Sequence, residues 1–387
     1  MSELIIRESA LGNVRWNLLA TVSAMAICGA GYAVPALAGD ADHSAVWIEL
    51  GAQVERMQGG YDAFLPPFLQ SSPRPAFEEV PSASTQRPPR YAIGGGGKIT
   101  FSPEGSDWSL SADVRYGRSN GAKHLHQQTT QIRQSGVHLL TDDPIYVRLT
   151  GFGDTASAHK SSYVIADFVA GRDVGLGLWR GSSSAVVDFG VRFVQFSAKN
   201  ATTLRELPDP FIERVPRSSP FLPNAHKYTT NSHHHSFYAQ SSVWHSFSGV
   251  GPTISMNGSQ GFAGNPDAGE LSFDWGLNGA VLFGRQKVHG SHKTTGEYFT
   301  NHFTAFGFAP KSSYNPPPKP VARTRSVVVP NIGGFAGLSV RRSNAKVSFG
   351  YRADFFFGAM DSGLDTPHSV TRGFHGPFAT ISIGLGG

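Results

Sequence analysis

The chain is almost without thiols: Cys28 is the single cysteine among 387 residues. A disulfide framework within the chain and a cysteine-based zinc site are therefore excluded. Charge is also scarce, 16% of residues against roughly 25% in soluble domains. Beyond residue 38 no apolar run approaches the roughly 20 residues of a membrane helix. Met is rare at 5, whereas Gly reaches 45 and Phe 27, which excludes a coiled coil, a charged helical protein and a disordered chain. The formal charge of +5 is scattered along the chain and predicts no nucleic-acid partner.

The first 38 residues read as a targeting segment. Arg7 and Arg15 precede the apolar stretch Leu18–Ile27, and Ala36-Leu37-Ala38 offers a small-residue cleavage site. These are the parts of a secretory signal peptide, predicted over 1–38 and removed on export. Its loss would take Glu3, Glu8, Arg7 and Arg15, two acids and two bases, so the charge stays at +5. Cys28 would go too, and an exported chain without thiols must be held by its fold or its surroundings.

From residue 39 onward the dominant signal is alternation. Val347, Phe349, Tyr351, Ala353 and Phe355 interleave with Lys346, Ser348, Gly350, Arg352 and Asp354, then Phe356. Successive strand side chains point to opposite faces, so this is a strand with one apolar side and one charged side. The same pattern places Val46, Ile48, Leu50, Ala52 and Val54 against Glu49 and Glu55. It places Leu110, Ala112 and Val114 against Asp113 and Arg115, with Trp108 and Tyr116 at the two ends. Val187, Phe189, Val191 and Phe193 oppose Asp188 and Arg192; Phe273, Trp275 and Leu277 oppose Asp274. Over 162–174 the pattern sets Val164, Ala166, Phe168 and Ala170 against Asp167, with Arg172 interrupting the apolar face.

Two architectures give this alternation: a soluble sandwich with its apolar face buried, or a membrane barrel with that face toward lipid. Strand length favours the barrel, because the runs match the 9–11 residues that cross a bilayer obliquely. The aromatic ends of the apolar faces suit interfacial girdles. The predicted strands are 45–57, 91–101, 108–117, 162–174, 184–196, 243–259, 270–285, 323–341, 345–358 and 374–386. Their connections alternate long and short throughout, as outer loops and periplasmic turns do. The predicted fold is all-β: an antiparallel up-and-down transmembrane barrel of about ten strands, with eight or twelve as alternative counts. Residues 243–259 are taken as one strand, bulged or kinked at Gly249-Val250-Gly251-Pro252. The segments Ser71–Pro89 and Tyr314–Pro320 read as polar, Pro-rich, mobile outer connections.

The inward face carries the candidate functional residues: Glu49, Glu55, Asp113, Arg115, Asp167, Asp188, Arg192, Asp274, Lys346, Arg352 and Asp354. Such a mixture either fills the lumen with ion pairs or lines a polar path whose charges set ion preference. Gly94-Gly95-Gly96-Gly97 lacks the Lys-Ser/Thr end of a phosphate loop and reads as close backbone approach at the barrel wall. His233-His234-His235, His124 with His126, and His289 with His292 fall in predicted outer loops and read as solvated polar positions. No metal, cofactor or enzymatic activity is predicted.

The stretches Tyr163–Gly175, Gly190-Val191-Arg192-Phe193-Val194-Gln195-Phe196, Gly249–Pro252, Phe349–Phe357 and Gly376-Pro377-Phe378 follow one another in the order of a known family. The chain resembles the Legionella major outer membrane protein-like family of pore-forming β-barrels over most of 45–386. The resemblance implies the outer membrane of a Gram-negative bacterium and passive diffusion of ions or small solutes. It departs at the end, Gly384-Leu385-Gly386-Gly387, where outer-membrane barrels carry an assembly aromatic; Phe378 is the residue in the last strand that could serve. The expected function is a narrow pore with lipid and small solutes as partners. The alternatives are a structural or adhesion barrel acting through its loops, or a soluble exported β-sandwich.

Overall fold

The computed structural model describes residues 45–59, 91–137, 144–174, 183–207, 211–216, 228–265, 269–301, 311–363 and 366–385. The proposed targeting segment and Ser71–Pro89 lie outside them. The described residues form twelve strands: β1 (Ala45–Gln58), β2 (Tyr91–Ser102), β3 (Trp108–Val137), β4 (Pro144–Asp173), β5 (Ser183–Leu207), β6 (Phe211–Pro216), β7 (Tyr228–Asn265), β8 (Gly269–Asn301), β9 (Lys311–Tyr314), β10 (Lys319–Arg342), β11 (Ala345–Asp361) and β12 (Ser369–Leu385). Every pairing is antiparallel, and β1–β12 and β7–β8 close the sheet on itself. Short β6 and β9 pair only with β7 and β8, so the closed wall has ten strands. A single closed sheet excludes the two-sheet sandwich and the counts of eight and twelve.

Closure leaves no sheet edge unpaired, which a chain in hydrocarbon requires. The apolar parity of each strand faces out, with Phe349 64% and Leu277 63% exposed. On β3 this belt runs from Trp108 to Tyr116, and Arg118 beyond it is again exposed. On β4 it runs from Val164 to Ala170, and Arg172 sits at its lower rim, 3.3 Å from Asp107. The apparent interruption of the apolar face is therefore its boundary. A continuous exposed apolar belt framed by aromatics is what a membrane barrel presents.

Three expected loops are instead tall hairpins. β3 and β4 stay paired from Trp108↔Arg172 up to Val137↔Pro144. β5, β7 and β8 likewise run far beyond the belt, so Asn200, expected in a loop, is a buried wall residue. The sequence signal for these extensions is weak because their inward apolar side chains, such as Leu204, Ala239, Val243 and Val288, are interspersed with polar ones and period two shows little contrast. Tyr314–Pro320 leads from β9 into β10. The order of long and short connections holds: the turns β2–β3, β4–β5, β7–β8 and β10–β11 share one end, and the tall hairpins share the other.

Residues 243–259 do form one strand, but the register break lies at Gly261/Ala263 and not at Gly249–Pro252. At Gly251 the neighbouring wall comes too close for a side chain, since a Cβ would stand 1.8 Å from the Val281 carbonyl oxygen. Phe378 faces the lumen and is buried, so it is no lipid-facing terminal aromatic.

Phe349 tests the outward assignment. Phe349→Arg should cost roughly 2–4 kcal/mol if the residue lies near the belt's midplane, whereas Phe349→Leu should be nearly neutral. The folded fraction after refolding into lipid, read from the cold-to-boiled gel shift, measures both. Equal folding of the two variants would contradict the assignment.

Candidate functional site

All eleven charged candidates point into the lumen, where the wall sorts them into three kinds of contact. Arg115 Nη1 pairs with Asp354 at 2.7 Å, and its Nε lies 3.7 Å from Asp113. Arg192 forks onto Asp167 with contacts of 2.7 and 2.8 Å, and also donates to Asn278 at 2.7 Å and to Asn331. Lys346 pairs with Asp274 at 2.7 Å. These are matched charges. The second kind is acids held by neutral donors. Asp188 accepts from Ser255 at 3.0 Å and Asn257 at 2.7 Å, Glu49 accepts from Ser382 at 3.0 Å, and Glu55 accepts from the Tyr163 hydroxyl. The third is Arg352, whose guanidinium lies 5.4 Å from the Phe335 ring and 5.2 Å from the Phe378 ring. Two aromatic faces stabilise a cation there without a carboxylate.

Glu49, Glu55, Asp113, Arg115, Asp167, Asp188, Arg192 and Arg352 line a cavity of about 220 Å³. A wider vestibule, lined by Trp47, Lys98, Glu270 and Arg341 among others, lies toward the short-turn end. Gly94 faces the Tyr163 hydroxyl, and at Gly117 a Cβ would stand 2.3 Å from the Tyr163 ring. The glycines of β2 and β3 thus leave the width that Tyr163 occupies, which is the close approach expected of Gly94–Gly97.

Above the charged chamber the lumen is apolar. Phe196, Phe247, Phe356 and Phe374 pack with Met57, Ile165, Leu282, Val329 and Met360, all at most 3% exposed. Phe196 meets Phe356 edge-on at 4.8 Å, and Tyr163 lies 4.4 Å from Phe374. Sequence reasoning missed this layer because it looked for charge on the inward parity. The signal was present in Phe355-Phe356-Phe357, of which alternation must send the middle ring inward.

The far end of β11 covers the layer. Gly358 takes φ +67°, a left-handed conformation that suits glycine, and the register shifts between Phe356 and Met360. The chain turns inward and buries Ala359 and Met360. Three wall strands hold it. His245 of β7 donates from Nδ1 to the Asp361 carbonyl, and Gln286 of β8 donates to the Gly358 carbonyl at 2.5 Å. Arg323 of β10 donates to the Asp361 carboxylate at 3.1 Å and to the Gly363 carbonyl at 2.6 Å. The same carboxylate accepts from the backbone N–H of Gly363 and His368 at 3.1 and 2.9 Å. Arg372, fully buried beside Phe374, donates to the Gly59 carbonyl at 2.8 Å and to Ser161.

The histidines lie in strands, not in loops. His124 and His126 share Asp154 on the outward face of the β3–β4 hairpin, and His292 is buried while His289 is exposed. The side chains of His233-His234-His235 lie outside the described residues. Among the described residues no group of three or more His, Cys, Asp or Glu is placed to hold a metal. Gly117-Arg118-Ser119-Asn120-Gly121 matches the letters of a nucleophile-elbow motif, which sequence reasoning passed over. It lies mid-strand in β3 with no strand-to-helix turn, and Ser119 is 1% exposed.

No protein-family model matches the chain, and no curated protein matches it. Among solved structures it is similar to the transport unit of the autotransporter AIDA-I from Escherichia coli, at 9% identity and TM-score 0.19, covering 91% of this chain and 93% of that one. It is also similar to the toluene transporter TodX of P. putida, at 7% identity and TM-score 0.17, covering 89% and 90%. At these TM-scores neither likeness carries an argument, and the fold stands on the chain's own strand pairing.

Two substitutions probe the two layers. Phe196→Ala removes a fully buried ring and should destabilise by about 3–5 kcal/mol. Arg192→Met leaves Asp167 uncompensated and should cost about 3–5 kcal/mol, much of it recovered in Arg192→Met/Asp167→Leu. Urea titrations in detergent micelles measure both, and an additive double variant would mean that the pair is not coupled.

Proposed function

We propose that the chain is an outer-membrane β-barrel of a Gram-negative bacterium, similar to the Legionella major outer membrane protein-like family. In this reading it passes ions or small solutes under control of the β11–β12 segment. The exposed apolar belt, the closed wall and the opposition of short turns to tall hairpins support the membrane assignment. The tall hairpins face outward and the short turns face the periplasm. No catalytic step is assigned.

The observation that carries the gating is the way the inward segment is held. Gly358, Asp361 and Gly363 are fixed to β8, β7 and β10 by hydrogen bonds from Gln286, His245 and Arg323. Such polar contacts can be exchanged for water at moderate cost, and the apolar part of the hold is confined to Ala359 and Met360. Beneath it lie the aromatic layer and then the polar chamber, where Arg352 packs against two rings and no carboxylate is within ion-pair distance of it among the described residues. A charge placed so stays available to an ion in transit. The second reading is a structural barrel that works through its outer hairpins, favoured by the fully buried aromatic layer.

Planar-bilayer recording separates the two. Wild-type protein should show rare, small openings, and Arg323→Ala/Gln286→Ala should open more often because two of the three anchors are gone. Silence from both proteins, each with a normal gel shift, would leave the structural barrel.

Acid should act in the same direction. His245 lies beyond the apolar belt, and burial lowers its pKa below the ordinary value, opposed by the Asp361 carbonyl and carboxylate and assisted by Arg323 and Arg372. Asp361 is also held below the usual carboxylate range: burial alone would raise it, but its bonds to Arg323, His368 and Gly363 outweigh that. The contribution of His245 is complete above the ordinary histidine range and is lost as pH falls below it, whereas that of Asp361 persists until pH falls below the ordinary carboxylate range. Openings should therefore become more frequent from pH 7.5 to 5, and less steeply so in His245→Gln. A pH-independent wild-type record would exclude this control.

A further inference from the structure

Just above the belt the outward face carries a cluster of cations, the outward acids Asp154 and Glu297 lying farther up the hairpins. Arg118 on β3, Lys160 on β4, Lys199 on β5, and Arg285 and Lys287 on β8 are all exposed. They lie one to three outward positions beyond the last apolar side chains, Tyr116, Val164, Phe193 and Phe283. Lys160 stands directly across from Lys199, Lys199 across from Trp244, and Trp244 across from His289. Like charges directly opposite on neighbouring strands destabilise a sheet. Among the described residues none of the five cations has a carboxylate partner. The outward acid of β4, Asp154, lies farther up the hairpin and is engaged by His124. At the short-turn rim the arrangement differs, because Arg172 has Asp107 at 3.3 Å.

Trp244 donates its indole N–H to Ser197 at 2.8 Å, and Ser162, Ser246 and Ser248 share the same face. This is a patch of cations and hydroxyl donors with an amphipathic ring, at the height where hydrocarbon gives way to headgroups. We propose that this face of β3, β4, β5, β7 and β8 binds the phosphates of anionic lipid headgroups in the leaflet at the tall-hairpin end. A phosphate between Lys160 and Lys199 turns their repulsion into two charge-assisted contacts. The proposal rests on the membrane reading above and adds the lipid class and the side of the bilayer.

The test uses the full-length barrel in detergent, titrated with a bisphosphorylated glycolipid or with phosphatidylcholine and followed by native mass spectrometry. Wild-type protein should retain the glycolipid and not the zwitterionic lipid. Lys160→Gln/Lys199→Gln should bind it about tenfold more weakly or worse, since each basic residue near an anionic surface contributes about 1 kcal/mol. Lys160→Arg/Lys199→Arg should bind like wild type. Gel shift of every variant confirms folding, so loss of lipid is not loss of the barrel. Equal retention of both lipids, equal retention by wild type and the Gln variant, or displacement of the glycolipid by millimolar inorganic phosphate would each overturn the proposal. Failure of the protein to float with vesicles of either composition would instead overturn the membrane reading.

Discussion

Closure of one antiparallel sheet is the constraint on which everything else depends. A hydrocarbon environment offers no partner to a backbone N–H or C=O, so each must find one in the wall. The pairing of β1 with β12 supplies the last of these partners, from Val46↔Leu385 to Gln58↔Gly373. Once the wall closes, every strand has an inside and an outside, and side-chain parity becomes a functional assignment. Glu49 and Leu50 are neighbours in the chain but meet a polar chamber and an apolar exterior.

Inside, two physical solutions are stacked. The lower lumen spends its width on charges matched by charges, by amide and hydroxyl donors, or by rings. The upper lumen is a dry core of the kind found in soluble proteins, made from Phe196, Phe247, Phe356 and Phe374. Burial of an aromatic side chain contributes about 1.5–3 kcal/mol, so the upper layer supplies tertiary stability that a chain with a single cysteine cannot draw from an internal disulfide. The inward segment after Gly358 is where the two solutions meet, its Ala359 and Met360 facing the core and its Asp361 tied to polar wall groups.

The belt strands were legible in the sequence because their two faces differ in polarity, as in Val187–Phe193 and Val347–Phe357. The inward direction of all eleven charged candidates followed from the same contrast. Above the belt the contrast fades: residues 118–131 and 151–161 carry few apolar side chains on either face, and only the pairing of β3 with β4 shows them to be wall. The partners of the charges were not legible either. Arg115 and Asp354 are joined across the lumen, a relation set by the curvature of the closed sheet and by no local spacing. The inward turn of Gly358–Gly363 depends on donors from three distant strands, His245, Gln286 and Arg323.

The buried guanidinium of Arg372 bridges the first and last strands. It sits on β12, yet its acceptors include the carbonyls of Gln58 and Gly59 at the end of β1, and Met57 beside them belongs to the aromatic layer. The residues of this cluster come from opposite ends of the chain and meet only at the seam. Local hairpins such as β10–β11 can form early, whereas the seam has the greatest sequence separation and so the greatest loop-closure cost. The core inside the barrel therefore cannot assemble ahead of closure. A partly zipped sheet lacks both its last row of backbone bonds and its interior, which makes seam formation and core formation one cooperative event.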